Sequence, residues 1–389
     1  MELTRRQLGT LVGAALLTPY LPARPAAAAT AWQLMWAPEA SSAGLGAFET
    51  IEDDRADSHP AGQPHIFPEG NNFRFTMHTV DRDTMTDRQR QEVTGTRNPS
   101  GYLQWLKGET WRVTYSMFIP SSLKATTTFT HISQTKMPGT GTLPITVTSL
   151  RRVNGVQTIE HKIFEPDILV GRTNLEPLQD KWIDVEYEIK IGDGSAGSVR
   201  WVLRDGATTL VDATKTGDTF LGDRVRPKWG IYRSLGDTSG SLQNCYLLLT
   251  NMRAYKQVAA VVTRLEAENA TISQGVVESN HAGFSGTGFV NSDNVAGAYV
   301  EFACPLPSAA QRTLTFRYAN GTTTNRPFSV TVNGAVVAAS VAAPGTGAWT
   351  TWVSTSLTAP TVSGANTVRL TATTAGGLPN LDYLDVTGS

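Results

Sequence analysis

Three short segments carry side chains suited to chemistry on an anion. The first is Asp87-Arg88-Gln89-Arg90-Gln91-Glu92-Val93, the second Phe129-Thr130-His131-Ile132-Ser133-Gln134-Thr135-Lys136, and the third Lys228-Trp229-Gly230-Ile231-Tyr232-Arg233. Each reads as a strand, where alternate residues share a face. Arg88, Arg90 and Glu92 then lie together, as do Gln134 and Lys136, and as do Lys228, Gly230 and Tyr232. Arg233 flanks the last set. Strand faces built from Arg, Lys, Gln and Tyr are either solvated surfaces or the floor of a cleft for an anionic polymer. A glycine between Lys228 and Tyr232 favours the cleft, because a glycine on a sheet face often marks the close approach of a ligand. In such a cleft a guanidinium and an amide can neutralise a carboxylate, and a tyrosine can move a proton. His131 is out of phase with Gln134 by one face and joins the set only across a bulge; otherwise it is structural.

The three patches occur in the order found in jelly-roll polysaccharide lyases. The stretch 45–255 most closely resembles polysaccharide lyase family 20, the glucuronan lyases, through its Arg-x-Arg-x-Glu, Gln-x-Lys and Lys-x-Gly-x-Tyr strands. Alginate lyases of family 7 carry Gln-x-His where this chain has Gln134-Thr135-Lys136, which argues against that family. The resemblance implies β-elimination in a β-1,4-linked uronate polymer, most simply glucuronan. The C5 proton becomes acidic once the C6 carboxylate is neutralised, here by Arg90 and Gln134. Tyr232, with the charge of Lys228 two residues away, takes the proton and returns it to the C4 oxygen in a syn elimination. Lys136 and His131 complete the catalytic set, and Arg88, Glu92 and Arg233 are expected to contact substrate. No metal is expected in this step. Two rival readings remain. Asp184-Val185-Glu186-Tyr187-Glu188 has the alternating carboxylates of a retaining β-sandwich glycosidase, although a solvent-facing strand with its aromatics inward explains it as well. The chain is otherwise a two-module glycan binder without catalysis.

A second constellation lies near the C-terminus. Glu266 and Glu268 share a face if their segment is a strand, and Asp382 approaches them if the first and last strands of that region pair. Three hard oxygen donors suit Ca²⁺, and a solvated acidic edge is the alternative. The region resembles carbohydrate-binding module family 35 through Leu265-Glu266-Ala267-Glu268, Asn280 to Val290, Arg317-Tyr318-Ala319-Asn320-Gly321, Trp349-Thr350-Thr351-Trp352 and Asn380-Leu381-Asp382-Tyr383-Leu384. The resemblance implies a structural calcium held by Glu266, Glu268 and Asp382. It also implies a sugar site near Tyr318, Asn320, Trp349 or Trp352, and Asn380, with one of the two tryptophans in the core.

The elements that must position these groups are strands. Alternation is clear over 111–119, 182–189, 198–203 and 313–318, and Asp205-Gly206, Asn320-Gly321 and Asn333-Gly334 mark turns. The fold class expected is all-β: a β-jelly-roll (concanavalin-like sandwich) catalytic domain at 30–256, a linker at 257–261 and a β-sandwich carbohydrate-binding module at 262–389. Residues 1–29 read as a twin-arginine export signal: Thr4-Arg5-Arg6-Gln7-Leu8, the apolar run Leu11–Leu21, then Ala26–Ala29. A secreted monomer is therefore expected. Among 389 residues, 40% are hydrophobic and 17% charged, which suits folded domains rather than disorder. A net charge of −1 gives no broad basic surface for nucleic acid, and no apolar run is long enough for a membrane helix. Cys245 and Cys304 are expected as free, buried thiols. The six histidines are scattered singly along the chain, with no spacing that points to catalytic zinc.

Overall fold

The computed structural model describes residues 30–59, 63–139 and 141–388; the export signal expected at 1–29 lies outside them. The chain is 55% strand and 5% helix, the all-β class that the alternation demanded. Residues 30–259 form two facing antiparallel sheets. The first runs in the order Thr208–Thr216, Ser198–Asp205, Trp182–Lys190, Thr110–Phe118, Cys245–Ala259, Asn72–Met77, Ile66–Glu69, with Thr30–Trp36 also paired to Cys245–Ala259. The second runs Ile168–Asn174, Val156–Ile163, Pro144–Val153, Thr130–Lys136, Arg226–Ser234, Arg88–Thr94, Thr50–Glu52. All three polar segments singled out above are therefore adjacent strands of the second sheet.

The inner faces meet in a core rich in indoles. Trp36 stacks on Trp229 with ring centroids 5.7 Å apart, and Trp105 stacks on Trp111 at 4.7 Å. Burying such rings supplies the largest apolar area per residue, and it holds the polar outer face of the second sheet on a rigid base. The rival carboxylate strand sits on the outer face of the first sheet. Glu188 pairs with Arg112 at 2.7 Å and Glu186 with Arg200 at 3.0 Å, while Ser116 donates to Asp184 at 2.6 Å. Tyr187 points inward, but Trp182 is exposed on the outside. Each carboxylate is already bound to a cation or a hydroxyl, a structural ladder rather than an acid–base pair.

The strand that ends the first unit is longer than the alternation suggested. Gln257, Val258 and Ala259 pair with Trp32, Ala31 and Thr30, so these residues, expected in a connector, belong to the sheet. Only Ala260 and Val261 separate it from the next strand, Val262–Glu266. The C-terminal unit has its own core, formed by residues such as Phe302, Phe316, Phe328 and Leu370. Its sheets run Gly275–Glu278, Phe289–Ser292, Asn380–Thr387, Ala310–Ala319, Val353–Thr361, and Thr271–Ser273, Tyr299–Leu306, Gly364–Ala372, Phe328–Val332, Ala335–Val341. The first strand pairs with the last, Val262 opposite Thr387 and Glu266 opposite Tyr383. Asn333 and Gly334 both take positive φ, +51° and +81°, the left-handed pair that a two-residue hairpin turn requires. Cys245 and Cys304 are free and buried, and burial pushes the Cys245 thiol up to about 11.

His161 lies in the core between the sheets, against Trp201 and Tyr187, with Nδ1 2.9 Å from the Thr148 hydroxyl. Burial lowers its pKa from 6.5 to about 3. The unfolded imidazole therefore takes up a proton that the folded one refuses. Its contribution to stability is complete above pH 6.5 and is lost as the pH falls towards 3. Replacing it by glutamine (His161→Gln) should flatten the fall in unfolding free energy between these limits by up to about 1.4 kcal/mol per pH unit. Denaturant melts at a series of acidic pH values measure this, and superimposable wild-type and variant profiles would refute it.

Candidate functional site

The three polar segments build one outward face. In register, Lys228 stands opposite Gln134 on one side and Thr94 on the other, and Tyr232 stands opposite His131 and Arg90. Gln134 and His131 are three residues apart yet share this face, because the ladder is bulged between them. Gly230 and Ile231 together oppose the single Ile132, and Ile132 is also the extra residue against Thr148 and Ser149. The bulge is the condition on which His131 could join the set, and it is present. It also explains the glycine. Gly230 has φ +138°, and a Cβ there would lie 2.0 Å from the Gln91 carbonyl oxygen. The missing side chain makes room for the neighbouring strand, not for a ligand as the sequence suggested.

At the centre stands Tyr232, half-buried. Arg88 donates to its hydroxyl at 2.7 Å, and the Arg90 guanidinium lies 3.9 Å from its ring centroid. Phe129 and His131 flank the ring at 5.0 and 5.9 Å. His131 contacts the Ser149 hydroxyl at 2.7 Å, and burial, with Arg151 and Arg90, lowers its pKa to about 3, so it is neutral near pH 7.

Below this layer lies Glu92. Its carboxylate has no exposure, accepts from Gln134 Nε2 at 2.6 Å, and pairs with Lys228 at 3.1 Å and Arg90 at 3.4 Å. Two further carboxylates complete the cage, Glu52 at the end of the edge strand Thr50–Glu52 and Asp83 on a loop. Glu52 pairs with Lys228 and Arg90, and Asp83 bonds Arg90 Nε at 3.0 Å, with Arg55 bridging both acids. Burial opposes ionisation of Glu52, but Lys228 and Arg90 outweigh it and hold its pKa below the usual carboxylate value. The face is therefore not the bare cationic strip that alternation implied; Arg90 and Lys228 are tied down from below. Lys136 is different. It has no hydrogen-bond or ion-pair partner among the described residues, and burial, with Lys228 and Arg90, lowers its ammonium pKa.

Several expectations are corrected. Glu92 cannot touch substrate, since its carboxylate is sealed beneath the cations. Gln134 is 2% exposed, with its amide engaged by Glu92. Arg233 points the other way, into the space between the sheets, where it donates to Gln89, Gln243 and Cys245. Alternation already separates it from Tyr232 by one face. The roles of Glu52, Arg55 and Asp83 were not visible in the sequence: Arg55 and Asp83 sit in charged loops with no periodicity, and Glu52 ends a strand too short to show one.

In the C-terminal unit the strand stops at Glu266 and Ala267–Asn269 forms a 3₁₀ turn, so Glu266 and Glu268 do not share a strand face. They still converge, because both grip one loop. Glu266 accepts from the Ser285 hydroxyl at 2.6 Å, Glu268 from the Thr287 amide at 2.7 Å, and Asp382 from the Ser285 amide at 2.8 Å. Gly286 lies between the two glutamates, where a Cβ would meet Glu268 Oε1 at 2.1 Å. Glu268 Oε2 is buried without a hydrogen-bond partner among the described residues, and Asp382 pairs with Arg317. This convergence of oxygens, one of them orphaned, fits a hard cation.

Of the expected sugar contacts, Tyr318 is 3% exposed and belongs to the core. Asn320 is fully buried, donating to Thr324 and Ala343 carbonyls and accepting from Thr322, so it shapes its turn. Neither tryptophan is in the core. Trp349 lies half-buried between Gly321 and His281, with Arg326 5.2 Å from its ring. Trp352 packs on Phe289 and donates to the Ala282 carbonyl at 3.1 Å. Asn380 is buried, and its Oδ1 has no hydrogen-bond partner.

Residues 266–388 match the family model described as carbohydrate binding module (family 6). Over this module the chain is 51% identical, across 119 residues, to an exo-β-D-glucosaminidase of Amycolatopsis orientalis, covering 31% of this chain and 12% of that protein. It is 49% identical across 115 residues to endo-1,4-β-xylanase B of Cellvibrio japonicus (strain Ueda107), covering 29% and 19%. The chain thus spans under a fifth of these relatives' length. Among solved structures, a family 35 carbohydrate binding module from Clostridium thermocellum is 42% identical, with 33% of this chain and 100% of that chain covered and a TM-score of 0.33. A family 35 module solved with a glucuronic acid containing disaccharide is 45% identical, with 32% and 93% covered and a TM-score of 0.31. The matched relatives are carbohydrate-active enzymes, and the likeness is confined to this region, which is a carbohydrate-binding module of the family 6/35 type.

The substitution Gly230→Ala should cost about 3 kcal/mol or more, because its Cβ meets backbone rather than a movable side chain. Thermal melting measures this; an unchanged midpoint would mean that the bulge does not require glycine.

Proposed function

We propose that this protein is an exported polysaccharide lyase that cleaves a uronic-acid polymer, glucuronan being the simplest candidate, by β-elimination. The observation that carries the reading is the Tyr232 hydroxyl, held by Arg88 on the outer sheet face against Arg90. Lys136, which has no hydrogen-bond or ion-pair partner among the described residues, stands further along the same face. The C6 carboxylate of a bound uronate residue lies against Arg90 and Lys136, which stabilise the enolate-like charge that develops as C5 loses its proton. Gln134 and Lys228 act one layer down, through Glu92, by fixing Arg90. Tyr232 Oη takes the C5 proton and delivers it to the C4 oxygen, which leaves as the C4–C5 double bond forms. Tyr232 enters the step as the phenolate, and Arg88 donates to its oxygen while it carries that negative charge. Neutral His131 keeps the tyrosine ring in place without adding a competing cation. The carbohydrate-binding module, joined by only two unpaired residues, holds the enzyme near polymer through the Trp349 and Trp352 end, raising local substrate concentration without altering the chemical step.

The protein should be incubated with glucuronan, alginate and neutral glucans while the ultraviolet absorbance of the new double bond is followed. Reducing ends without that absorbance would mean hydrolysis, and neither signal would leave a glycan binder. In the lyase, Tyr232→Phe should lose about a hundredfold or more in turnover with melting unchanged. Retention of more than about a third of the rate would remove Tyr232 from the mechanism.

In the module, Glu266, Glu268 and Asp382 would hold one Ca²⁺, whose charge would offset the three converging carboxylates. Calcium at about a hundred times its dissociation constant should stabilise the module by about 2.7 kcal/mol. Glu268→Gln should abolish that gain in calorimetric melts of the whole chain. An equal response in both proteins would place the ion elsewhere.

A further inference from the structure

Outside the sheet face just described, three of the six histidines meet. His59 and His78 stack with centroids 4.1 Å apart, and the His65 ring stands edge-on to both at 5.0 and 5.2 Å. The Asp81 carboxylate, fully buried, sits among them. Its Oδ1 lies 3.2 Å from His59 Nδ1 and 3.4 Å from His65 Nε2, and its Oδ2 lies 3.3 Å from His78 Nδ1. One donor atom from each of the four residues falls within 4.8 Å of every other. The histidines come from spacings of six and thirteen residues, on two loops and the end of the strand Asn72–Met77, so only the fold assembles them.

The hydrogen bonding inside the cluster is incomplete in a particular way. His65 Nδ1 lies 2.9 Å from Asp53 Oδ1, while the other Asp53 oxygen accepts the Ile66 amide at 3.1 Å. The proton of a neutral His65 is thus placed on Nδ1, and Nε2 is left as a lone pair facing a carboxylate. His65 is 1% exposed, and both its Nε2 and His78 Nδ1 are buried without a hydrogen-bond partner among the described residues. Asp81 is itself oriented by the His78 amide at 2.7 Å. Lone pairs converging in a buried space are stabilised by a cation between them. A histidine whose second nitrogen is held by a carboxylate is the usual outer arrangement of a metal ligand. Three imidazole nitrogens and one carboxylate oxygen match the donors and coordination number of zinc, whereas calcium requires a shell of oxygens.

We propose that His59, His65, His78 and Asp81 form a binding site for one zinc ion, with Asp53 fixing His65 from outside. All four positions are filled by protein, so the site is a structural clip, not a centre for activating water. What it clips bears on the polar sheet face. Asp53 follows Glu52, which pairs with Lys228 and Arg90; Asp81 lies two residues from Asp83, which holds Arg90. Gln91 and Gln89 bind the same two loops from the sheet, Gln91 accepting from the Asp54 amide and Gln89 donating to the carbonyls of His78 and Asp81. The ion would lock together the loop that follows Glu52 and the loop that carries Asp83. This stands on geometry separate from the proposed reaction and does not depend on it.

The test uses the full chain, free of any polyhistidine tag, stripped with chelator and checked for retained folding by circular dichroism. Stoichiometric zinc chloride is then added, and bound metal is counted by plasma mass spectrometry after desalting. One equivalent per chain is expected, with a rise in melting temperature, and Co²⁺ in its place should give the intense visible bands of a tetrahedral site. His78→Gln, at the more exposed edge, should lose zinc affinity about a hundredfold, and Asp53→Asn about tenfold. Glu268→Gln in the other module should keep full uptake. The proposal is overturned if the folded, stripped wild type takes up no zinc, which would leave a metal-free histidine–aspartate cluster. It is equally overturned if His78→Gln binds zinc like wild type, or if Glu268→Gln abolishes uptake.

Discussion

A buried carboxylate organises the polar sheet of this protein. Glu92 sits in the strand Arg88–Thr94 with no exposure, and a charge in that position is tolerated only with cations and donors around it. Lys228, Arg90 and Gln134 come to it from the same strand and two neighbours. Glu52, from the edge strand Thr50–Glu52, and Asp83, from a loop, then surround the two cations. Arg90 is in turn held flat against Tyr232. Removing Glu92 would leave Gln134 without its acceptor and Arg90 and Lys228 each short of a counter-charge, so the cluster fixes where Tyr232 and Lys136 can stand.

Register is the second constraint. A strand ladder without interruption would put His131 on the inner face with Ser133 and leave Tyr232 without its aromatic neighbours. The bulge at Ile132 and Gly230 turns His131 outward, and Gly230 permits the close strand approach that the bulge requires. Arg233, one residue beyond Tyr232, goes inward and becomes a buried donor to Gln89. The distinction between a half-buried tyrosine on the outer face and a buried structural cation thus rests on a shift of one residue.

The two units keep separate cores and separate polar sites. In the first, cations and acids interlock on a sheet face. In the second, three carboxylates grip the Ser285–Thr287 loop, which lies in the segment that also presents His281 to Trp349. A stable Ser285–Thr287 loop would therefore help to hold the aromatic end of the module in shape.

The C-terminal module was legible through its resemblance to family 35, whereas alternation of polar and apolar residues was enough to specify an all-β chain and the strands that carry Arg88, Gln134 and Tyr232. These features are local: a period of two fixes which side chains share a face, whatever the strand pairs with. Period could not reveal the bulge, because an extra residue in a ladder is defined only by the partner strand. It could not show that Glu92, Asn320 and Tyr318 are sealed, since exposure depends on what packs above a face. Nor could it bring His59, His65 and His78 together, or join Glu52 and Asp83 to Arg90. The histidines and Asp83 lie on or beside loops, where no periodicity constrains the side chains, and Glu52 reaches Arg90 only through the pairing of Thr50–Glu52 with Arg88–Thr94, which the fold sets.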